Sequence, residues 1–175
     1  MTESSAPRGV PWRIALPVVA LVVLVAASAY VWRWQAHELS VLKAERAEDA
    51  AAVRAATLET ATWAHVDYRK SDAYFAAVEN GATGLFLDQF KASVPATRQL
   101  LAANKSVQVP TIPKDGAALM ERKGSTAKVL IAMDATVTNK ATTKPQPRQY
   151  RLQVTLTRHD GRWLISNLGF VDAQS

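Results

Sequence analysis

The hydrophobic pattern along the chain begins with one uninterrupted apolar run. Residues 14–32 carry no charged side chain. Nineteen residues at the rise of an α-helix span about 28 Å, which is close to the roughly 30 Å hydrocarbon thickness of a bilayer. A helix satisfies its own backbone polar groups and can therefore cross lipid. The run predicts a transmembrane anchor over residues 12–34, preceded by a disordered cytoplasmic tail over residues 1–11.

Aromatic and basic residues flank both ends of the apolar run. These residues are Trp12 and Arg13 on one side, and Trp32, Arg33 and Trp34 on the other. Because such side chains are enriched at membrane interfaces, we predict that they anchor the helix there. Two alternatives remain open: a soluble buried helix, or a cleavable signal peptide, for which Ala27-Ser28-Ala29 fits the small-residue cleavage pattern.

The next stretch has helical character. Residues 35–66 contain neither glycine nor proline and are rich in alanine, glutamate, arginine and leucine, so they predict one long helix that leads into a domain. Ala52, Ala56, Trp63 and Val66 lie close to one face of that helix, which we expect to pack on a sheet.

Three shorter helices are predicted after this long one. Ser71 is the expected N-cap of a helix over residues 72–79, which Asn80-Gly81 ends. Thr83 is expected to cap a helix over residues 84–91, and Pro95 marks the start of another over residues 94–104. Leu85, Phe86 and Phe90 are predicted to be buried.

From Val107 onward the hydrophobic period changes to two. Residues 128–138 and 149–158 alternate between apolar and polar side chains, which predicts strands with one buried and one wet face. Asp160-Gly161 is a strong hairpin signal that leads into a strand over residues 162–171. Lys123-Gly124-Ser125 predicts an earlier hairpin, with a strand near residues 116–122.

Helices followed by a strand meander predict an α+β domain with helices on one face of an antiparallel sheet. A curved sheet of about four strands around one long helix gives the cone of the nuclear-transport-factor-2-like fold. The extracytoplasmic domain would comprise the long helix over residues 35–66 and the remainder over residues 67–175. A short tail before a single anchor places the N terminus in the cytoplasm and the C-terminal domain outside an inner or plasma membrane.

The net charge of +6 is unevenly distributed. Residues 91–175 carry 13 Lys/Arg and 5 Asp/Glu, whereas residues 33–90 carry 6 Lys/Arg and 9 Asp/Glu. A basic half suits an anionic membrane surface or an acidic partner, and it equally suits a solvated surface without a partner. No nucleic-acid-binding motif is found, so no nucleic acid is expected. The chain has no cysteine, which excludes disulfides and thiolate metal sites.

The residues that could carry chemistry are few. His37, His65 and His159 are not at metal-ligand spacing from one another, so no metal or cofactor is predicted. Asp67 and Tyr68 invite an enzyme hypothesis, but neighbours on a helix point about 100° apart, so a solvated Asp67 and a packed Tyr68 are favoured. Trp63 and Trp163 are predicted to be core residues, with an apolar cavity as the alternative.

Four stretches together resemble a known family. They are the N-terminal anchor, residues 68–73 (YRKSDA), Thr83-Gly84 followed by Phe86, and residues 154–164 (VTLTRHDGRWL). On these residues the chain resembles the Mce-associated membrane proteins of actinobacterial Mce (mammalian cell entry) lipid-import systems. The resemblance covers nearly all of the chain after residue 12. It implies an extracytoplasmic accessory factor that stabilises or assists an Mce transporter through contacts with its subunits.

The leading hypothesis is therefore a membrane-tethered, non-enzymatic interaction domain whose partners are the lipid bilayer and Mce transporter subunits. One alternative is an assembly subunit of a conjugation or type IV secretion channel. The periplasmic subunits of such channels share the arrangement of a single anchor followed by a cone-shaped domain, and a fold alone does not determine function. Another is a lipid-binding domain with an internal cavity. The sequence does not predict an oligomeric state.

Overall fold

A computed structural model describes residues 12–171, although few side chains between residues 12 and 39 are included. The predicted tail, residues 1–11, lies outside the described residues, as do most side chains of the predicted anchor over residues 12–34. Among the described residues, no helix is both long enough and apolar enough to cross a membrane. The chain divides into two units, residues 1–46 and 47–175. The second unit contains the whole of the sheet that the structure describes.

Helix α1 spans Trp12–Ala64. Within the second unit one face of α1 carries small side chains that are at most 1% exposed: Ala52, Ala56, Thr60 and Ala64. They recur every four residues and therefore form one stripe along the helix. The three alanines of this stripe belong to the main hydrophobic core, together with buried side chains of β4, β5 and β6.

Helix α1 ends two residues earlier than the sequence predicts. Val66 lies outside the helix and begins strand β1 (Val66–Asp67), which pairs antiparallel with β2 (Val107–Thr111). The side-chain Nε2 of Gln108 donates a hydrogen bond of 2.9 Å to the carbonyl of Ala64, one of the carbonyls that a helix end leaves without a partner. Strand pairing and this cap replace the helical bonds that a longer α1 would make.

Helix α2 (Ser71–Asn80) confirms the predicted helix over residues 72–79, but Ser71 is not its N-cap. Ser71 has helical dihedral angles, φ −58° and ψ −37°, whereas an N-cap residue is non-helical. Lys70 occupies the cap position and makes no side-chain cap bond. The capping side chain in this region is Asp67, which accepts from the backbone N–H of Arg69 and caps the short 3₁₀ turn Tyr68–Lys70.

Helix α3 (Gly84–Asn104) is one helix, so the prediction of two helices divided near Pro95 is wrong. Proline removes one backbone hydrogen bond from the helix. Phe90 before it and Leu101 after it both belong to the cluster that packs α3 on α2, and this packing holds the two halves in line. The prediction that Leu85 is buried is also wrong, since 61% of this residue is exposed.

Six strands form one antiparallel sheet, two more than the four predicted. The remaining strands are β3 (Ala117–Lys123), β4 (Thr126–Thr138), β5 (Gln146–His159) and β6 (Arg162–Phe170). The order is β1-β2-β4-β5-β6, and β3 also pairs with β4. Strand β2 carries a proline and β1 has two residues, so neither produces a clear alternating pattern.

The alternation predicted for β4 and β5 is confirmed. Val129 and Ile131 pair with Val154 and Leu152 respectively, and all four side chains are fully buried beneath the helices. The turn at Asp160-Gly161 has φ values of 47° and 80°, as a two-residue hairpin with two positive φ angles requires. The three helices and the curled antiparallel sheet of the described residues therefore form an α+β fold.

Strands β2 and β3 share one edge of β4, and the chain passes between them at Gly116. The N–H of Gly116 donates to Pro113, and its carbonyl accepts from Ala132 at 2.7 Å. A Cβ atom at Gly116 would lie 2.8 Å from the Ala132 carbonyl oxygen, so the crossing needs a glycine.

Candidate functional site

An aromatic cleft of about 310 Å³ is lined by residues of three helices and four strands. One aromatic side chain reaches it from each of α1, α2, α3, β5 and β6: Trp63, Tyr74, Phe90, Tyr150 and Phe170. The rings of Trp63 and Phe170 have centroids 6.3 Å apart, and those of Tyr150 and Phe170 are 6.2 Å apart. Phe170 is 60% exposed, so the cleft opens to solvent beside it.

Most polar groups of the aromatic cleft already have partners within the protein. The hydroxyl of Tyr74 donates to the carbonyl of Trp63 at 3.1 Å, and the hydroxyl of Tyr150 donates to Gln108 at 3.3 Å. Burial raises the pKa of Tyr74 to about 12, so its hydroxyl stays protonated at neutral pH. The cleft has no charged residue in its lining and suits a neutral, apolar group.

A second depression, here called the α1 groove, runs along the outward face of α1. It consists of two hollows of about 480 and 490 Å³ that share Leu58 and Ala61 in their lining. The first hollow is bounded by Ala73 and Ala77 of α2 and by Pro110 of β2, and the second by the segment from Ile112 to Ala117. Leu58, which lines both hollows, is 64% exposed and therefore accessible to a partner.

The charged residues of the α1 groove are mainly basic. Arg54, Lys70 and Lys114 line it, together with one acid, Asp67. Arg69 binds both carboxylate oxygens of Asp67 at 2.8 Å. These bonds lower the pKa of Asp67 to about 2, so the acid is ionised and its charge is already matched.

The predicted site residues do not come together. Trp32 and Arg33 are exposed on α1, and the side chains of Trp12, Arg13 and Trp34 lie outside the described residues. Their role as interface anchors stays a prediction. Of the two core or cavity candidates, Trp63 lines the aromatic cleft. Trp163 is 6% exposed within the main core and does not line the cleft.

The local setting of Asp67 and Tyr68, the residues of the enzyme hypothesis, differs from the one assumed, and the absence of catalysis stays a prediction. Asp67 belongs to a strand and Tyr68 to the 3₁₀ turn, so the helix assumed for them is wrong. Asp67 is held by Arg69, and its side chain is 14% exposed, so the expected solvated carboxylate is also wrong. His37, His65 and His159 are exposed, and no group of three potential metal ligands occurs among the described residues.

Sequence reasoning missed most residues of both depressions. Tyr150 and Phe170 lie in predicted strands without a predicted role, and Leu58 carries no prediction of its own. The positions of Arg54, Thr57, Leu58, Ala61, Thr62 and His65 do carry a signal, because a spacing of three and four places them on one helix face. That face is the one turned away from the sheet.

Comparison with solved structures shows the fold. An IcmL-like type IV secretion system protein from Legionella pneumophila is similar with a TM-score of 0.55 and 9% identity, over 68% of this chain and 88% of that one. The periplasmic domain of DotI is similar with a TM-score of 0.55 and 15% identity, over 71% of this chain and 96% of that one. The predicted α+β arrangement of helices on a curled antiparallel sheet is confirmed at this level.

Comparison of sequences shows the family. A protein of Mycobacterium tuberculosis, Rv1363c, which is described as uncharacterized, is 29% identical over 184 aligned positions, covering 97% of this chain and 68% of that protein. The family model described as "Uncharacterized protein Rv1363c/MT1408-like" matches residues 12–172. The chain belongs to the Rv1363c/MT1408-like family.

Proposed function

We propose that this protein is a membrane-anchored, extracytoplasmic scaffold that holds together subunits of a transport complex in the cell envelope, without catalysing a reaction. The observation that carries the proposal is the likeness of the fold to an IcmL-like type IV secretion system protein and to the periplasmic domain of DotI. The apolar run over residues 14–32 supports the anchor. Fold alone does not determine function, so the partner has to be tested.

Two kinds of complex are candidates. The fold likeness favours an assembly subunit of a secretion or conjugation channel. The residues 68–73 and 154–164 favour an accessory factor of an Mce lipid importer, and that assignment rests on the sequence resemblance. We place the secretion-type scaffold first, because its likeness is one of three-dimensional fold over 68–71% of the chain, whereas the Mce assignment rests on short sequence motifs.

Tethering explains how such a scaffold would work. An anchor confines the domain to a thin layer beside the membrane, where any membrane-bound partner is at a high effective concentration. Modest contact surfaces then suffice for stable association.

Affinity capture tests the proposal. The full chain, tagged at its C terminus, is purified from its own host in mild detergent, and the partners are quantified by mass spectrometry. The control carries residues 1–46 of this chain on an unrelated soluble domain. Enrichment of secretion-channel subunits over the control supports the first candidate, and enrichment of importer subunits supports the second. Equal recovery with both baits refutes a scaffold role for the domain.

A second candidate function follows from the aromatic cleft: binding of a neutral apolar ligand such as one lipid chain. A volume of about 310 Å³ lies at the lower end of ligand pockets, and five aromatic rings line it. A neutral fluorescent probe, N-phenyl-1-naphthylamine, would bind the full chain and lose affinity on Phe170→Ser. Leu100→Ser is the control, because Leu100 is also exposed but lies outside the cleft. Equal binding by both variants would remove this candidate.

A further inference from the structure

We propose that the α1 groove binds an acidic amphipathic helix of a partner protein. The proposal rests on the scaffold function, because it states the chemistry of the surface that the scaffold recognises. Three properties of the described residues carry it: an apolar floor, sides lined by small or apolar residues, and a basic rim.

The floor of the groove is one outward stripe of α1. Leu58 and Ala61 lie at its centre, and Thr57 and Thr62 lie beside them. The two threonine hydroxyls donate to the carbonyls of Val53 and Leu58, each at 2.9 Å. Because these hydroxyls are satisfied within the helix, the floor offers a partner methyl groups and the exposed side chain of Leu58.

The walls make the floor a groove rather than a flat surface. Ala73 and Ala77 of α2 are small, so they allow close approach of another backbone on that side. Pro110, Ile112 and Pro113 on the other side carry no side-chain polar group. An apolar helix face packs in such a trough without leaving polar atoms unpaired.

The rim decides the sign of the partner's charge. Arg54 and Lys114 make no salt bridge with any residue that the structure describes, and the charge of Asp67 is matched by Arg69. Lys70 adds a third positive charge at the end of the groove. Asp115 follows Lys114 in the chain but does not line either hollow. The excess of positive charge complements an acidic partner and opposes a basic one.

The length of the stripe matches a short helix. From Arg54 to His65 the axis of α1 rises by about 16 Å, which is three helical turns. A partner helix of about eleven residues spans this length. Its apolar side chains at positions i, i+3, i+4 and i+7 would face Leu58, and carboxylates on its flanks would face the rim.

The test uses the full chain in non-ionic detergent and two synthetic 14-residue peptides labelled with fluorescein. Both have leucine at positions i, i+3, i+4, i+7 and i+11, and the remaining positions are glutamate in one and lysine in the other. Fluorescence anisotropy should show that the glutamate peptide binds at least about tenfold more tightly at low salt, and that the difference narrows as salt screens the charges. Equal affinities, or tighter binding of the lysine peptide, overturn the proposal.

Variants locate the binding surface. The double variant Arg54→Glu/Lys114→Glu should reverse the preference between the two peptides. Lys91→Glu/Lys144→Glu, which changes the net charge equally at exposed positions outside the groove, should leave it unchanged. Leu58→Ser should weaken both peptides alike, and circular dichroism verifies that each variant is folded. A preference that survives the groove variants overturns the proposal.

Further measurements distinguish helix binding in the α1 groove from lipid binding and from the scaffold function. If vesicles containing phosphatidylserine bind through Arg54 and Lys114 and the glutamate peptide does not bind, the surface recognises lipid headgroups and the proposal is wrong. If the glutamate peptide binds as expected but affinity capture finds no envelope subunit, helix binding by the α1 groove is supported and the scaffold function is refuted. If affinity capture recovers envelope subunits that bind the groove variants as well as they bind the original chain, the scaffold function is supported and helix binding by the α1 groove is refuted.

Discussion

The hydroxyl of Thr60 is the buried group whose removal should stabilise the domain. Thr60 lies on the inner stripe of α1 and is fully buried, and its Oγ1 has no hydrogen-bond partner among the described residues. In the unfolded chain the same hydroxyl is hydrated. Folding therefore costs the free energy of removing this group from water without replacing its hydrogen bonds. Thr60→Val removes that cost and keeps the branched shape.

The size of the effect follows from the cost of an unsatisfied buried hydroxyl. That cost is about 1–3 kcal/mol. Valine and threonine have similar helix propensities, so the backbone contributes little to the difference. The free energy of unfolding should rise by about 1–3 kcal/mol. With a urea dependence of about 2 kcal/mol per molar, the midpoint of unfolding should move upward by about 0.5–1.5 M.

Urea unfolding of the full chain, monitored by near-ultraviolet circular dichroism, measures the shift. The matched control is Thr57→Val on the same helix, because the Thr57 hydroxyl donates to the carbonyl of Val53 and is only partly buried. This control should change the midpoint little. A midpoint that is unchanged or lower for Thr60→Val would refute the reasoning, since it would mean that the hydroxyl has a partner in solution.

Three further predictions concern the backbone and one ion pair. Pro95→Ala restores a helical hydrogen bond in α3 and should raise the free energy of unfolding by about 1–3 kcal/mol in the same urea assay; a loss of stability would contradict this account. Gly116→Ala places a methyl group 2.8 Å from a carbonyl oxygen of β4 and should destabilise more than Gly124→Ala, which meets no atom within 4 Å but has a φ of +56°. The carboxyl of Asp67 should titrate by NMR near its pKa of about 2 rather than 3.8, and Arg69→Gln should return it toward 3.8. Because the pKa is lowered in the folded state, the stabilisation is present above pH 3.8 and is lost as the pH falls through about 2.

Short-range signals were sufficient for the hairpins and the central strands. Asp160-Gly161 and Lys123-Gly124-Ser125 fix their turns through positive φ angles that glycine adopts at no steric cost. The alternation of apolar and polar side chains in β4 and β5 is clear because one face of each strand is buried and the other faces solvent. In these elements the local preference and the tertiary environment agree.

The errors occur where tertiary contacts override a local signal. Pro95 ordinarily ends a helix, yet contacts with α2 on both sides of it keep α3 continuous. Val66 continues a run of helix formers, yet pairing with β2 draws it into a strand. The contacting elements, α2 for the α3 residues around Pro95 and β2 for Val66, are distant in sequence, so no local sequence pattern indicates these contacts. The aromatic cleft was missed for the same reason, since its five rings come from five elements.

Helix α1 shows why the groove is harder to predict than the core. Amphipathicity normally assigns the bulkiest apolar side chains to the face that packs on the sheet. Here the fully buried positions carry alanines and Thr60, Trp63 packs against the same core while partly exposed, and Leu58 is 64% exposed. Because most of the buried stripe consists of small side chains, the hydrophobic pattern of the sequence gives only a weak indication of which face of this helix is buried. A single exposed leucine is ordinary on a protein surface, so the case for a binding surface rests on the hollows around Leu58 and on the basic residues that line them. This combination argues that the outward face of α1 is a binding surface, which the reversal of peptide preference by Arg54→Glu/Lys114→Glu tests directly.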